Sequence, residues 1–188
     1  MKGIYLIGKA GAGKTFSASY LIEKYGYVQA KFAYPVYNLA YNYFDMKNKD
    51  RKLLQYMGTD VARNVIDRDI WINRFQEDIK IVDTTYKKLY NKSIAFALDD
   101  CRFQNEHELL KKLGWMGIYL AVDDETRIKR LTHRDGDAQI KTLNHSSELE
   151  IDKFKDDVNY VIDASGTIEE TQLQIDKIIK VLNRGEGD

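Results

Sequence analysis

Apolar and polar positions follow two rhythms along the chain. Ile4-Tyr5-Leu6-Ile7 is a short unbroken apolar run, and further strand candidates lie at 27–32, 93–98, 115–122 and 160–163. Runs of that length, bounded by turn residues, suit strands buried on both faces. Between them the apolar positions step by three or four. Phe16, Leu21, Ile22 and Tyr25 mark a helix that Gly26 stops. Pro35 opens a second, carried by Val36, Leu39, Ala40, Tyr43 and Phe44. After a polar break at 47–52, Leu54, Met57, Val61 and Val65 form a further stripe with Gly58 as an interruption. Asp69 is placed to cap a long helix bearing Trp71, Phe75, Ile79, Val82, Tyr86 and Leu89. Helices are also expected at 105–113, ended by Gly114, and at 123–134. A last one carries Ile168, Ile175, Ile178, Ile179 and Leu182 behind the capping box of Thr167 and Glu170. Residues 138–147 show no period and read as a loop, with a short helix at 148–156, and the tail after Asn183 should fray. Strands that alternate with helices predict an α/β fold, a parallel sheet with helices on both faces. The stretch from 33 to 92 reads as a helical insertion between two strands.

Composition narrows the picture. The 188 residues carry 29 Lys and Arg against 29 Asp and Glu, so the formal net charge is zero and no overall basic field favours nucleic acid. The single cysteine, Cys101, excludes an intramolecular disulfide and fits a reducing cytoplasm. The N-terminal apolar run is too short for a signal peptide, and no run reaches the length of a membrane span. With one proline and no Gly/Ser-rich stretch, a single domain is expected over 1–188.

The chemistry concentrates after the first strand. Residues 8–15, G-K-A-G-A-G-K-T, have the spacing G-x-x-x-x-G-K-[ST] between a strand and a helix, the setting in which that spacing binds a nucleoside triphosphate. Gly8, Ala10, Gly11, Ala12 and Gly13 can turn their backbone N–H groups toward a phosphate chain, helped by the positive end of the following helix. Lys14 would reach the β- and γ-phosphates, and Thr15 would hold Mg²⁺. The third strand ends in Asp99-Asp100. Asp100 is favoured to reach Mg²⁺ through water, with Asp99 as its rival because neighbours on a strand point oppositely. Arg102 can grip a phosphate bidentately or pair with Glu106 four residues on. Arg127, Arg130 and Arg134 share one helical face, where they should repel one another unless an anion joins them or the face is simply solvated. Trp71, Phe32, Tyr34 and Tyr37 could stack on a base, although Trp71 also lies on the apolar stripe of its own helix. Arg63, Arg68 and Arg74 could hold a second phosphate or be exposed charges. His107, His133 and His145 lack metal-ligand spacing.

Taken together, these stretches resemble the nucleoside monophosphate kinase superfamily, and more closely its phage-type deoxynucleoside monophosphate kinases. The marks are the glycine loop, K-F-A-Y-P-V at 31–36, L-L-Q-Y-M-G-T-D-V-A-R at 53–63, D-R-D-I-W-I at 67–72, D-C-R-F-Q-N-E at 100–106, R-I-K-R-L-T-H-R at 127–134 and H-S-S-E at 145–148. The resemblance implies a three-layer P-loop kinase fold with a five-stranded parallel sheet. It implies a core of 1–32, 93–122 and 148–188, a monophosphate-binding insertion at about 33–92 and an arginine-bearing lid at about 123–147. It implies ATP as phosphoryl donor with Mg²⁺, and a deoxynucleoside 5′-monophosphate as acceptor. Arg63 and Arg102 would then hold the acceptor phosphate. Phe32 and Trp71 would line the nucleoside pocket, and Glu148 would sit beside it. Arg127 would serve ATP; Arg130 and Arg134 would act with Lys14 on the transferring group. Tyr34 departs from the small or acidic residue expected there. Neither nucleic acid nor membrane is an expected partner, a homodimer is compatible, and the location would be cytoplasmic, in the host cell if the chain is phage-encoded.

Two rivals differ in chemistry. A dephospho-coenzyme A kinase has a ribose hydroxyl as acceptor and so needs a catalytic base, for which Asp99 or Asp100 would serve. A GTPase-type switch needs an N-K-x-D stretch after a strand; Asn48-Lys49 and Asn91-Lys92 both fail that pattern.

Overall fold

A computed structural model describes residues 2–135 and 151–184, which fall into two compact units. One is built from Lys2–Gln29 and the chain from Ala95 onward, and the other from Ala30–Ile94.

The first unit is organised on a five-stranded sheet with the order β2-β3-β1-β4-β5. Its strands are β1 (Lys2–Ile7), β2 (Val28–Ala30), β3 (Ala95–Leu98), β4 (Met116–Ala121) and β5 (Tyr160–Asp163). β1 pairs in parallel with both β3 and β4, and β4 with β5. Its helices are α1 (Lys14–Tyr25), α5 (Gln104–Lys112), α6 (Asp124–Asp135) and α7 (Ile168–Arg184), with a 3₁₀ turn at Ile151–Asp157. Parallel strands need a crossover between them, and helices covering both faces of the sheet give an α/β three-layer fold.

Alternation along β1 serves two cores. Ile4 and Leu6 pack with Ala18 and Leu21 of α1, Ile118 and Leu120 of β4, and Ile175, Ile178 and Ile179 of α7. Tyr5 turns the other way, to α5, where its hydroxyl lies 3.3 Å from Nδ1 of the fully buried His107. The other ring nitrogen, Nε2, lies 3.0 Å from Asp157. A carboxylate can only accept, so Nε2 carries the proton and Nδ1 receives the Tyr5 hydroxyl. Phe154 stacks on the same imidazole. His107 is thus a satisfied core residue. Gly117 faces Tyr5 across the β1–β4 pair, and a Cβ there would sit 2.7 Å from the phenol oxygen.

On the far side, α1 is fastened to α7 by Asp176, which accepts from Tyr20 (2.7 Å), Tyr25 (2.6 Å) and Lys24 (2.8 Å). The capping box forms as the sequence requires: Thr167 N–H donates to Glu170 at 2.8 Å, and Glu170 N–H to the Thr167 hydroxyl at 3.1 Å.

The second unit contains α2 (Tyr34–Tyr43), α3 (Arg51–Gln55), a π-helical segment (Tyr56–Ile66) and α4 (Ile70–Tyr90). Here the expected stripes are only partly realised. In α2, Val36 and Ala40 are buried while Leu39, Tyr43 and Phe44 are exposed. Val65 is 77% exposed, and the residues buried in its segment are Gly58, Ala62 and Arg63. A π-helix closes its bonds at i→i+5, so a stripe spaced for an α-helix rotates off its face. In α4, Trp71, Phe75 and Ile79 are buried, but Tyr86 and Leu89 are exposed and Asp83 is buried instead, with Lys87 at 2.6 Å. Asp69 stands at the start of α4 without a side-chain cap bond; Asp67 accepts the Asp69 N–H at 2.9 Å. Among the described residues no helix is long and apolar enough to cross a membrane.

Candidate active site

The loop between β1 and α1 carries three glycines at positive φ: Gly8 (152°), Gly11 (87°) and Gly13 (92°). Two of them are also held by space. A Cβ at Gly8 would lie 2.8 Å from the Leu120 carbonyl, and one at Gly11 would lie 2.7 Å from the Arg127 carbonyl. The loop is thereby pressed against the end of β4 and the first turns of α6. The Ala12 N–H donates back to the Lys9 carbonyl at 3.1 Å, closing the turn. Gly13, at the N-cap, has no side chain to cap α1, so the start of that helix turns its backbone N–H groups and the positive end of its dipole toward an anion.

Lys14 folds its ammonium back over the loop, donating to the Gly8 carbonyl and, at 3.1 Å, to the Lys9 carbonyl. Both of these acceptors are neutral, and a phosphate oxygen is the stronger partner for an ammonium. Thr15 donates its hydroxyl to Oδ2 of Asp99 at 2.8 Å. Asp99, 6% exposed just after β3, is therefore the carboxylate bonded to the loop threonine. Cys101 is fully buried, and that burial pushes its thiol well up, followed by the negative charges of Glu106 and Asp100. It is an inert core thiol rather than a nucleophile.

Arg102 is half-buried just beyond the carboxylates. Glu106 accepts from the backbone N–H groups of Arg102 (2.7 Å) and Phe103 (3.1 Å). The first turn of α5 thus anchors the backbone that presents Arg102.

The arginines of α6 do not form a mutually repelling face, and that expectation is corrected. Arg127 pairs with Asp124 at 2.5 Å, one turn back. Arg130 donates to the carbonyls of Ala164 (2.8 Å), Ser165 (3.4 Å) and Gly166 (2.7 Å), the loop after β5. Arg134 is exposed near the end of the helix. The i−3 acid and the carbonyl cluster supply the counter-dipoles that the sequence spacing did not reveal. α6 is capped by Asp123, which accepts the Thr126 N–H at 2.7 Å; this bond holds its carboxyl below the usual range.

Phe32, Arg63 and Trp71 belong to the helical unit. Phe32 is buried against Phe75, with ring centroids 4.2 Å apart. Trp71 is 7% exposed and donates its indole N–H to the Gly58 carbonyl at 2.8 Å, in a small core with Val36 and Ala62. Its first role is packing. Arg63 is 9% exposed, with Nη1 3.5 Å from the Arg68 carbonyl. Glu148, His145 and residues 136–147 of the expected lid lie outside the described residues. A contact that no motif announced ties Lys9 of the loop to Asp152, which also accepts the Tyr119 hydroxyl. Charge alternation is too common for their pairing to be read from sequence.

The sequence profile described as AAA domain matches residues 4–152, from β1 through the glycine loop to the 3₁₀ turn. The chain belongs to this family of P-loop kinases. The same P-loop kinase is 30% identical over 92% of its length, and over 93% of the relative, to a protein of Acanthamoeba polyphaga mimivirus named provisionally as a deoxynucleotide monophosphate kinase. It is 31% identical to a dephospho-CoA kinase of Clostridium tetani, over 62% of this chain and 52% of that one. Among solved structures, the protein TT1252 of Thermus thermophilus superposes with a TM-score of 0.62 over 96% of this chain and 97% of that one, at 15% identity, a likeness of fold. The chain is a nucleotide-binding phosphotransferase of P-loop type.

Proposed function

We propose that this P-loop kinase transfers the γ-phosphate of ATP to a deoxynucleoside or nucleoside 5′-monophosphate, releasing ADP and the diphosphate. The observation that carries the reading is the near full-length match to the mimivirus relative. The resemblance at D-C-R-F-Q-N-E, where Arg102 follows the Thr15–Asp99 pair, supports it.

The acceptor oxygen is already anionic, so no strong base is needed. It attacks the γ-phosphorus, the bond to the β-phosphate oxygen breaks, and ADP leaves with that electron pair. Lys14 exchanges its two carbonyl partners for phosphate oxygens and follows the charge as it moves to the ADP oxygen. The N-terminal end of α1, with its positive dipole end, holds the β-phosphate. Thr15 and Asp99 place two hard oxygen donors 2.8 Å apart, a pair that would hold a divalent cation of Mg²⁺ type. Such an ion would supply neutralisation of the phosphate charge. Among the described residues no group of three or more His, Cys, Asp or Glu side chains is placed to hold a metal ion by itself. On this reading residues 33–92 bind the acceptor, with Arg63 and Arg102 on its phosphate and Phe32 and Trp71 shaping the wall behind the base. Arg127 serves ATP, Arg130 and Arg134 act on the transferring group, and Glu148 is counted among the acceptor-binding residues.

The Clostridium relatives keep a second reading in view, phosphorylation of a coenzyme-type ribose hydroxyl. That acceptor must lose a proton, and Asp100 is then the carboxylate to take it, because Asp99 already accepts from Thr15. One assay separates the two: ADP release from ATP with a panel of nucleoside monophosphates, deoxynucleoside monophosphates and dephospho-coenzyme A. Turnover with one or more monophosphates, falling below about a tenth in a folded Lys14→Ala variant, is the expected result. Turnover with dephospho-coenzyme A alone would overturn it.

A further inference from the structure

Asp152 lies far along the chain from the glycine loop, in the 3₁₀ turn, yet its carboxylate is fastened to the loop itself. Oδ2 lies 2.8 Å from the ammonium of Lys9, the first variable residue of the motif, and Oδ1 accepts the Tyr119 hydroxyl at 2.7 Å. Tyr119 is 5% exposed near the end of β4, so the carboxylate is anchored to the sheet. Burial works against its charge, but the bonds from Lys9 and Tyr119 outweigh burial and hold the carboxyl below its usual range. Lys9 also feels a second acid: the Asp124 carboxyl is lowered first by Arg127 and then by the Lys9 charge. Lys9 is the residue whose carbonyl receives both the Lys14 ammonium and the Ala12 N–H. Its side chain is held from one side while its backbone sets the loop on the other.

The geometry points to Asp152 as a positioning residue for the donor site: through Lys9 it fixes the phosphate loop in the shape that receives ATP. It touches no reacting atom. Without it, Lys9 loses its tether, and the loop must be ordered by the nucleotide at a cost in affinity. The side chains of Lys9 and Asp152 are 30% and 55% exposed, which keeps the effect modest. Pairs of that exposure contribute little individually, so an affinity loss of about threefold is expected.

The inference rests on the reading of the loop as an ATP site, and direct ATP binding keeps the two separable. Calorimetric titration of the whole chain with Mg-ATP comes first; absence of binding by the wild type would defeat the ATP-site reading itself. Given binding, Asp152→Asn and Lys9→Met should each weaken it about threefold, and the double variant by the same threefold rather than their product of about nine. Tyr119→Phe should move affinity in the same direction. Unfolding midpoints without nucleotide should stay within about 2 °C, which separates a positioning effect from general destabilisation. Wild-type affinity in Asp152→Asn, tighter binding in it, or multiplying losses in the double variant would each overturn the assignment.

Discussion

At the level of single residues, the choice between Asp99 and Asp100 turns on one place in the strand. β3 is buried on both faces, with Phe96, Ala97 and Leu98 all at or below 1% exposure, so it shows no apolar–polar alternation from which to read which carboxylate points inward. The Thr15 hydroxyl donates to Asp99, and on that observation we propose Asp99 as the metal-side carboxylate. Asp99→Asn should therefore lower kcat by about a hundredfold or more, while Asp100→Asn lowers it by less than about fivefold if the acceptor is a monophosphate. Steady-state kinetics at saturating ATP and Mg²⁺ checks this, and the reverse order would return the metal-side role to Asp100. Lys14, Thr15 and the glycines stood out in the sequence because they fall at fixed spacing in one contiguous stretch between a strand and a helix. The partners of Arg130 did not, since they are carbonyls of a loop more than thirty residues away. Arg102→Ala should raise the acceptor KM about tenfold or more with little change in ATP affinity, because a bidentate phosphate grip is lost on one side only. A fall in ATP affinity with an unchanged acceptor KM would place Arg102 at the donor.

Between elements, the fastening of α1 to α7 has a pH signature. Asp176 is held down to about 2, against the cost of its burial, by Lys24, Tyr25 and Tyr20. Tyr25 is pushed up to about 12 by burial and by its bond to that carboxylate. A carboxyl with a lowered folded pKa contributes stability above its unfolded value near 4, and that contribution is lost as pH falls toward 2. A phenol with a raised pKa contributes below its unfolded value near 10 and loses its share as pH rises through about 12. Asp176→Asn should therefore flatten the stability profile between about pH 4 and 2 and between about 10 and 12, and narrow its gap to the wild type at both ends. Urea unfolding across pH measures it; a constant offset at every pH would rule the cluster out as the source. Element positions were well read where period and caps agree, as in β1, β5, α5 and α7. They were misread in the helical unit, where the sequence is helical throughout but the π-helical turns shift the buried face from Val61 and Val65 to Gly58, Ala62 and Arg63. Propensity identifies such a segment as helical without revealing how tightly it is wound.

Across the whole molecule, β1 occupies the middle of the sheet although it comes first in the chain. Its neighbours, β3 and β4, begin at Ala95 and Met116, on the far side of the Ala30–Ile94 unit. A polypeptide is made from one end, at about 5–20 residues per second, so Ile4–Ile7 leaves the ribosome roughly 5–20 s before both its partners exist. In that interval an apolar β-type segment with two open edges stands without its sheet, while the helical unit has all its own residues and can fold behind it. Ribosome-stalled chains long enough to expose residue 98 but not residue 121 should remain open to protease across α1 and protected within Ile70–Tyr90. The nucleotide loop, which hangs from β1, is then the first functional part to be synthesised and among the last to take shape. Messages that slow translation just after the helical unit, or a chaperone that shields the first dozen residues, would raise the yield of active enzyme without altering any residue in it.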